Sequence, residues 1–113
     1  MTRRDDITRL QHMLDHAQEA VDLAKGKSRK ELDTDRKLEL ALTRLVEIIG
    51  EAAARVSPEG QQRYCQIPWP EIIGLRNRLV HGYDAVDLDI LWNIVNGDLP
   101  ALVTELRQII DQP

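Results

Sequence analysis

The sequence of 113 residues contains no phenylalanine, one cysteine and no apolar run longer than three residues. A lone Cys65 cannot close an intrachain disulfide or build a cysteine-rich zinc site, so packing or self-association must stabilise the fold. The short apolar runs exclude a membrane span and a signal peptide, so we expect a cytoplasmic protein without a membrane partner. Positive charge is not in excess either, since 15 basic and 19 acidic side chains give a formal charge of −4. A general attraction to nucleic acid is therefore excluded, and any such role needs a local basic site.

The chain length fits one domain, which we place at residues 1–113. Apolar residues recur with the helical period in five segments, and none alternates for long enough to be a strand. We predict helices at roughly 7–24, 36–56, 70–82, 88–96 and 99–110. Gly26 and Gly97 are the predicted stops of the first and fourth helices, and Asp87 and Asp98 the predicted N-caps of the last two. The expected fold is an all-α antiparallel bundle of about five helices.

The third predicted helix differs from the other four because charged and polar residues share its apolar side. That side consists of Ile72, Ile73, Leu75, Leu79 and Val80. At 100° per residue, Arg76 and Tyr83 fall on the same side, and Asn77 and His81 lie together at its rim. An unpaired arginine inside a monomer core would be costly. We therefore expect this helix to lie at the interface of a homodimer, with a polar cleft at the edge.

The spacing alone leaves two interpretations of this segment open. An arginine on an apolar face often only extends toward solvent, and a histidine near a helix end is commonly structural. Alternatively, Arg76, Asn77, His81 and Tyr83 belong to an anion-binding or catalytic cleft. Arg78 falls on the opposite side of the helix, where it is either a second RNA backbone contact or an ordinary solvated arginine.

The segment Arg76-Asn77-Arg78-Leu79-Val80-His81-Gly82-Tyr83 resembles a known signature: arginine, four residues, histidine, one residue, tyrosine. It is the signature of the HEPN-domain HepT-like toxins, which pair with MntA-type nucleotidyltransferase antitoxins. Three further segments are similar to the second helix, the lead-in to the third helix and the start of the last helix of that family: Glu47 to Ala52, Ile67 to Trp69, and Gly97 to Pro100. The resemblance extends from the first helix to the C-terminus.

This resemblance implies a homodimeric, metal-independent endoribonuclease toxin that acts on RNA, with tRNA and mRNA both open as targets. It implies Arg76, Asn77 and His81 as catalytic residues, and no metal or other cofactor. It also implies an MntA-like antitoxin that neutralises the toxin by adenylylating Tyr83. An alternative within the same family context is a protein without catalytic activity that binds a nucleotide or positions the substrate of a nucleotidyltransferase. A purely structural helical subunit is the third alternative.

The chemistry of RNA cleavage is consistent with these residue types. A base must take the ribose 2′-hydroxyl proton, an acid must protonate the 5′ oxygen, and cations must stabilise the phosphorane. One imidazole cannot begin as both base and acid, so two copies of His81 in a dimer would complete the site. Arg76 can bind the phosphate through two hydrogen bonds, and Asn77 can orient the imidazole or the phosphate.

Other polar pairs carry weaker expectations. His12 and His16 are spaced for a metal, but no third ligand is spaced to join them, so we predict no metal site. Glu47 and Glu51 have the same spacing and are interpreted as ordinary surface charge. Gly50, in the middle of a helix, is expected to permit a close helix crossing.

Overall fold

The computed structural model describes residues 2–81 and 85–111, with His81 represented by its backbone alone. These residues form eight α-helices, one π-helical turn and two short strands. In chain order they are α1 (Arg3–Ala24), α2 (Glu31–Thr34), α3 (Arg36–Ala54), α4 (Pro58–Arg63), α5 (Trp69–Ile73), α6 (Leu75–Leu79), β1 (Val80–His81), β2 (Ala85–Val86), α7 (Leu88–Asn93), the π-helical turn (Ile94–Asp98) and α8 (Leu99–Ile110). The predicted all-α fold is confirmed, whereas several predicted bounds are wrong. Among the helices described, none combines the length and apolar character needed to cross a membrane.

The three longest helices form the body of the molecule. α1 packs along both α3 and α8, and the three helices share a continuous apolar core. Leu10 and Met13 of α1, Leu42 and Ile49 of α3 and Leu106 of α8 are completely buried in it. The predicted first and second helices are confirmed in position, because their apolar stripes face this core.

Local capping sets the ends of these helices. Thr2 and Asp5 form a capping box at the start of α1, and hydrogen bonds from the Thr2 backbone and side chain hold the pKa of the Asp5 carboxyl below its usual value. α1 ends at Ala24, just before Gly26, whose φ of 77° favours glycine. The Asp35 carboxylate accepts a hydrogen bond from the Leu38 amide and caps α3.

A buried polar cluster fixes α4 against α1, and α4 is absent from the predicted helices. The Asp6 carboxylate is 2% exposed and accepts hydrogen bonds from the Ser57 amide (2.9 Å) and hydroxyl (2.6 Å). Ser57 in turn caps α4 by accepting from the Gly60 amide. A Cβ on Gly60 would lie 2.5 Å from Asp6 Oδ2, so glycine is required for this close approach.

The predicted third helix over 70–82 is wrong as a continuous element. It is divided at Gly74 into α5 and α6, each of five residues, and the chain becomes extended at Val80. α5 lies so close to α3 that a Cβ on Gly50 would be 3.3 Å from the Ile72 carbonyl oxygen, which confirms the predicted close crossing. Val80 pairs with Val86 across the antiparallel strands, and this pairing replaces the last helical turn.

The predicted boundary between the fourth and fifth helices is also wrong. Asp87 caps α7 as predicted, by accepting from the Ile90 amide at 3.0 Å. Gly97 does not end a helix, because it lies inside the π-helical turn that joins α7 to α8. Asp98 has helical backbone angles and makes no capping hydrogen bond, since its carboxylate pairs with Arg78 instead.

Candidate active site

Arg76 lies on the outer side of α6. The apolar side predicted for this segment is divided between the core and the surface. Leu75 and Leu79 point into the core and are completely buried. Ile73 is 38% exposed and the Arg76 side chain 63% exposed. Within a single chain Arg76 is therefore open to water, and its predicted place at a homodimer interface stays a prediction.

The Arg76 side chain lies in an open depression of about 410 Å³ between α3 and the paired strands. We call this depression the hairpin groove. It is lined by Arg36, Glu39, Leu40, Thr43 and Glu47 of α3, by Arg76 of α6, by Val80 and Val86 of the strands, and by Leu88 of α7. Its lining therefore combines four apolar side chains with two arginines, two glutamates and a threonine.

Glu47 connects Arg76 to a chain of charges along α3. Its Oε2 is 3.5 Å from Arg76 Nε and 3.8 Å from Arg44 Nη1, while Arg44 Nη1 also contacts Glu51 Oε1 at 3.4 Å. The Glu47 side chain is 26% exposed, which makes it less accessible than either arginine. The contact places the Nε edge of the Arg76 guanidinium beside Glu47, and the guanidinium has four further N–H donors on its two Nη atoms.

Two other side chains add polar atoms to the hairpin groove. Arg36, at the start of α3, donates a 2.6 Å hydrogen bond from Nη1 to Glu39 Oε1. Thr43 Oγ1 is buried and has no hydrogen-bond partner among the described residues. A buried hydroxyl without a partner is unusual and favours a ligand or water that reaches it. The sequence interpretation missed Glu47, Arg36 and Thr43 as site residues. Their helical spacing, which places them on one stripe of α3, was visible in the sequence. Only the packing of α6 against α3 shows that this stripe faces Arg76.

The other residues of the signature are described to different extents. Asn77 is exposed on α6, one residue after Arg76. His81 lies in β1, where its backbone pairs with Ala85. The predicted helical adjacency of Asn77 and His81 is wrong because α6 ends at Leu79. The His81 side chain and the whole of Tyr83 lie outside the described residues, so their predicted roles stay predictions.

Arg78 lies in a different depression from Arg76. Its Nη1 donates a 2.8 Å hydrogen bond to Asp98 Oδ2, which links α6 to the π-helical turn. Both residues line a partly apolar depression of about 340 Å³ between α5, α6 and α8. The structure thus separates Arg78 from the hairpin groove, and its predicted contact with RNA stays a prediction.

The hairpin groove can bind an anion but contains compensating charges within one chain. Two arginines face two glutamates, so a phosphate that enters must compete with Glu47 or gain further cations from another source. Within residues 2–81 and 85–111, apart from the His81 side chain, no group of three His, Cys, Asp or Glu side chains is close enough to hold a metal ion. The arrangement favours phosphate binding by guanidinium groups.

Comparison with known proteins gives consistent matches. The profile of the family described as Ribonuclease HepT-like matches residues 13–109. A protein of Methanocaldococcus jannaschii named as a candidate RNase is 32% identical over 107 residues, which cover 95% of this chain and 98% of the relative. A candidate RNase of Caldanaerobacter subterraneus subsp. tengcongensis is 31% identical over 103 residues, 91% of this chain and 92% of the relative.

A third relative carries a more specific name. A protein of Thermococcus cleftensis named as a candidate ribonuclease HepT is 35% identical over 75 residues, which cover 66% of this chain and 68% of the relative. No solved structure matches the chain significantly.

Proposed function

Because the chain belongs to the HepT-like ribonuclease family, we propose that it is a metal-independent endoribonuclease toxin. The proposal includes neutralisation by a nucleotidyltransferase antitoxin that adenylylates Tyr83. The observation that carries it is the exposed Arg76 guanidinium in the hairpin groove, five residues before His81 in the family signature. The names of the relatives support RNA as the substrate.

In the proposed reaction, two His81 imidazoles transfer protons and Arg76 binds the phosphate. One His81 takes the proton of the ribose 2′-hydroxyl, whose oxygen forms a new bond to the adjacent phosphorus. The bond from phosphorus to the 5′ oxygen breaks, and the second His81 protonates that oxygen. Arg76 stabilises the pentacoordinate phosphorane, with Asn77 orienting the phosphate or the imidazole. The products are a 2′,3′-cyclic phosphate and a 5′-hydroxyl, and the reaction requires no metal ion.

The second His81 is supplied by a homodimer. Apolar side chains beside Arg76 support this part of the proposal, because Leu40 is 50% exposed and Ile73 is 38% exposed. Leu40 lines the hairpin groove itself, next to Val80 and Val86. A second copy would cover these side chains and add the cations that a single groove lacks.

Regulation at Tyr83 follows from its place in the signature. In adenylylation the tyrosine oxygen bonds to the α-phosphorus of ATP. The bond between that phosphorus and the pyrophosphate group breaks, and pyrophosphate leaves. The attached AMP would place a phosphate charge and a base two residues after His81. We expect this group to occupy the position that the substrate phosphate needs, and so to prevent RNA binding.

Cleavage of a labelled RNA by purified variants tests the proposed activity. We expect His81→Ala to lower the cleavage rate by about 10² to 10⁴, since it removes the proton-transfer group. Arg76→Ala should lower it by about 10² to 10³ through lost phosphorane stabilisation. Arg107→Ala is the matched control, because Arg107 lies on α8 and contacts Gln18. The wild type should cleave equally well with EDTA and leave cyclic phosphate ends.

Two results would contradict the proposed activity. One is undiminished cleavage by a folded His81→Ala variant, and the other is loss of wild-type cleavage in EDTA. RNA binding by Arg78→Ala tests the separate prediction for that residue: the loss of a single phosphate contact should weaken binding by about two- to tenfold, whereas unchanged binding would identify an ordinary solvated arginine.

Mass spectrometry of the intact protein tests the modification. After incubation with the cognate nucleotidyltransferase and ATP, the wild type should gain multiples of about 329 Da, the mass of an added AMP group. Its cleavage rate should fall in proportion to the modified fraction. Tyr83→Phe should gain no mass and stay active. Equal mass gain by both proteins would place the acceptor elsewhere.

The alternative function is a partner without catalytic activity, which binds a nucleotide or positions a substrate for a nucleotidyltransferase. The balanced charges of the hairpin groove and the acidic net charge favour it. It predicts nucleotide binding that depends on Arg76, with no RNA cleavage by the wild type under any condition.

A further inference from the structure

A second groove, with basic side chains, lies between α1 and α3 on the side of α3 next to the hairpin groove. α1 contributes Arg9, His12 and His16, which form one helical stripe, and α3 contributes Glu51 and Arg55. We call it the α1–α3 groove. Its volume is about 190 Å³ and it is open to solvent. None of these side chains belongs to the signature or to the hairpin groove.

The two arginines of the α1–α3 groove differ from the other arginines on this side of α3. Within the described part of the chain, no ion pair includes Arg9 or Arg55, whereas both arginines of the hairpin groove bind a glutamate. The glutamate that lines the α1–α3 groove, Glu51, contacts Arg44 at 3.4 Å. Asp5, one turn before Arg9, is held by Thr2 in the capping box, and the Arg9 charge adds a weaker attraction that also lowers the pKa of the Asp5 carboxyl. The lining of the groove therefore carries two arginines against one glutamate, in a chain of net charge −4.

The side chains of this groove also have unused hydrogen-bond donors. Arg9 Nε is buried and has no partner among the described residues. A partly desolvated guanidinium with an unsatisfied N–H gains more from an anion than a fully hydrated one. His16 Nδ1 lies 2.7 Å from the His12 carbonyl oxygen, which can only accept, so Nδ1 carries the proton of this contact.

The shape of the surface favours a long anion over a compact one. Arg9 and Arg55 also line the adjoining depression of about 410 Å³ beyond the end of α3, together with the acidic Glu59. The two arginines therefore lie between two connected open surfaces. On α3, Arg55 lies about 12 Å along the axis from Glu47, because each residue rises 1.5 Å. A single extended strand can thus contact the α1–α3 groove and the hairpin groove together.

We propose that the α1–α3 groove is a second binding site for the phosphodiester backbone of single-stranded RNA. Arg9 and Arg55 bind phosphate groups there, and His12 and His16 add polar contacts along α1. The site holds the part of the substrate that extends beyond the hairpin groove. This inference rests on RNA as the proposed substrate, but it assigns residues that have no part in the cleavage step.

The experiment measures binding of an RNA that cannot be cleaved. The probe is a fluorescent single-stranded RNA of about 16 nucleotides, the upper site size of a small binding domain. It carries 2′-O-methyl groups, which remove the attacking hydroxyl. Arg9→Gln/Arg55→Gln is compared with Lys25→Gln/Lys27→Gln, which removes the same charge from exposed residues at the other end of α1. Thermal unfolding confirms that both double variants are folded.

Fluorescence anisotropy should show binding that is roughly tenfold weaker for Arg9→Gln/Arg55→Gln, with a salt dependence smaller by about 1.4 in the slope of log K against log salt. The lysine control should stay within about twofold of the wild type. Arg9→Lys/Arg55→Lys should recover most of the affinity, because charge is kept. Equal RNA affinities of Arg9→Gln/Arg55→Gln and Lys25→Gln/Lys27→Gln would overturn the proposal, as would absence of wild-type binding.

The outcome separates this inference from the proposed activity. If the wild type never cleaves RNA but the arginine variant loses binding, the ribonuclease proposal fails and the second site stands. If the wild type cleaves RNA and the two double variants bind equally, the ribonuclease proposal stands and the second site fails.

Discussion

Two regions of the molecule bury apolar surface in different ways. One is the set of long helices α1, α3 and α8, and the other is the short segment from Trp69 to Val86. Each long helix turns a continuous stripe toward one shared core, so many small contacts hold it in place. The described residues of the segment from Trp69 to Val86 include two five-residue helices and both short strands. Only part of its apolar surface faces the core, and the signature arginine points outward.

The difference shows why the candidate site lies where it does. A five-residue helix cannot be stable alone, so neighbouring elements determine its position and its ends. The same lack of internal constraint allows α6 to present Arg76 beside α3, where Glu47 orients it. The long helices supply a rigid support, and the short segment carries the exposed groups of the candidate site.

The largest effect should come from the core of the long helices. Leu42→Ala removes a completely buried side chain from α3 and should lower the free energy of unfolding by about 2 to 5 kcal/mol. Leu40→Ala, two residues earlier on the same helix, is the matched control at a protein concentration low enough to dissociate the proposed dimer, because Leu40 is 50% exposed in the single chain and should then change stability by less than about 0.5 kcal/mol. Chemical denaturation measures both values.

Leu40→Ala also tests the proposed dimer. Light scattering should return a dimer for the wild type at micromolar concentration and a larger monomer fraction for Leu40→Ala. A wild-type monomer would remove the second His81 from the proposed mechanism. Equal destabilisation by Leu40→Ala and Leu42→Ala would contradict the division between a buried support and an exposed functional side.

A smaller effect should come from Glu47, where the two regions meet. Glu47→Gln should lower kcat for RNA cleavage by about tenfold with little change in KM, because Arg76 loses the carboxylate that orients it. The melting temperature should hardly change, since half-exposed ion pairs contribute little to stability. Glu19→Gln, an exposed change on α1, is the control and should have wild-type activity.

A double-mutant cycle shows whether Glu47 acts through Arg76. In the Arg76→Ala background, Glu47→Gln should cause no further loss of activity. An additional tenfold loss in that background would mean that Glu47 acts directly on substrate or another group, and the positioning role would be wrong.

The sequence by itself determined the all-α class, the positions of the first two predicted helices and the cap at Asp87. These features depend on residues close together in the chain: helical stripes of apolar side chains, and carboxylates three residues before the amides they bind. The sequence also contains the signature from Arg76 to Tyr83, and it predicted the close crossing at Gly50.

Only the tertiary structure decided the break at Gly74, the strand pairing at Val80 and the helical continuity through Gly97. Each depends on a contact between residues distant in sequence or on a backbone arrangement that helical periodicity does not distinguish. The same holds for the functional surfaces. Glu47 and Arg76 meet because α6 packs across α3, and Arg9 and Arg55 share a groove because α1 and α3 lie side by side. A pattern along one helix specifies which residues share a face, whereas packing between helices determines which charges meet.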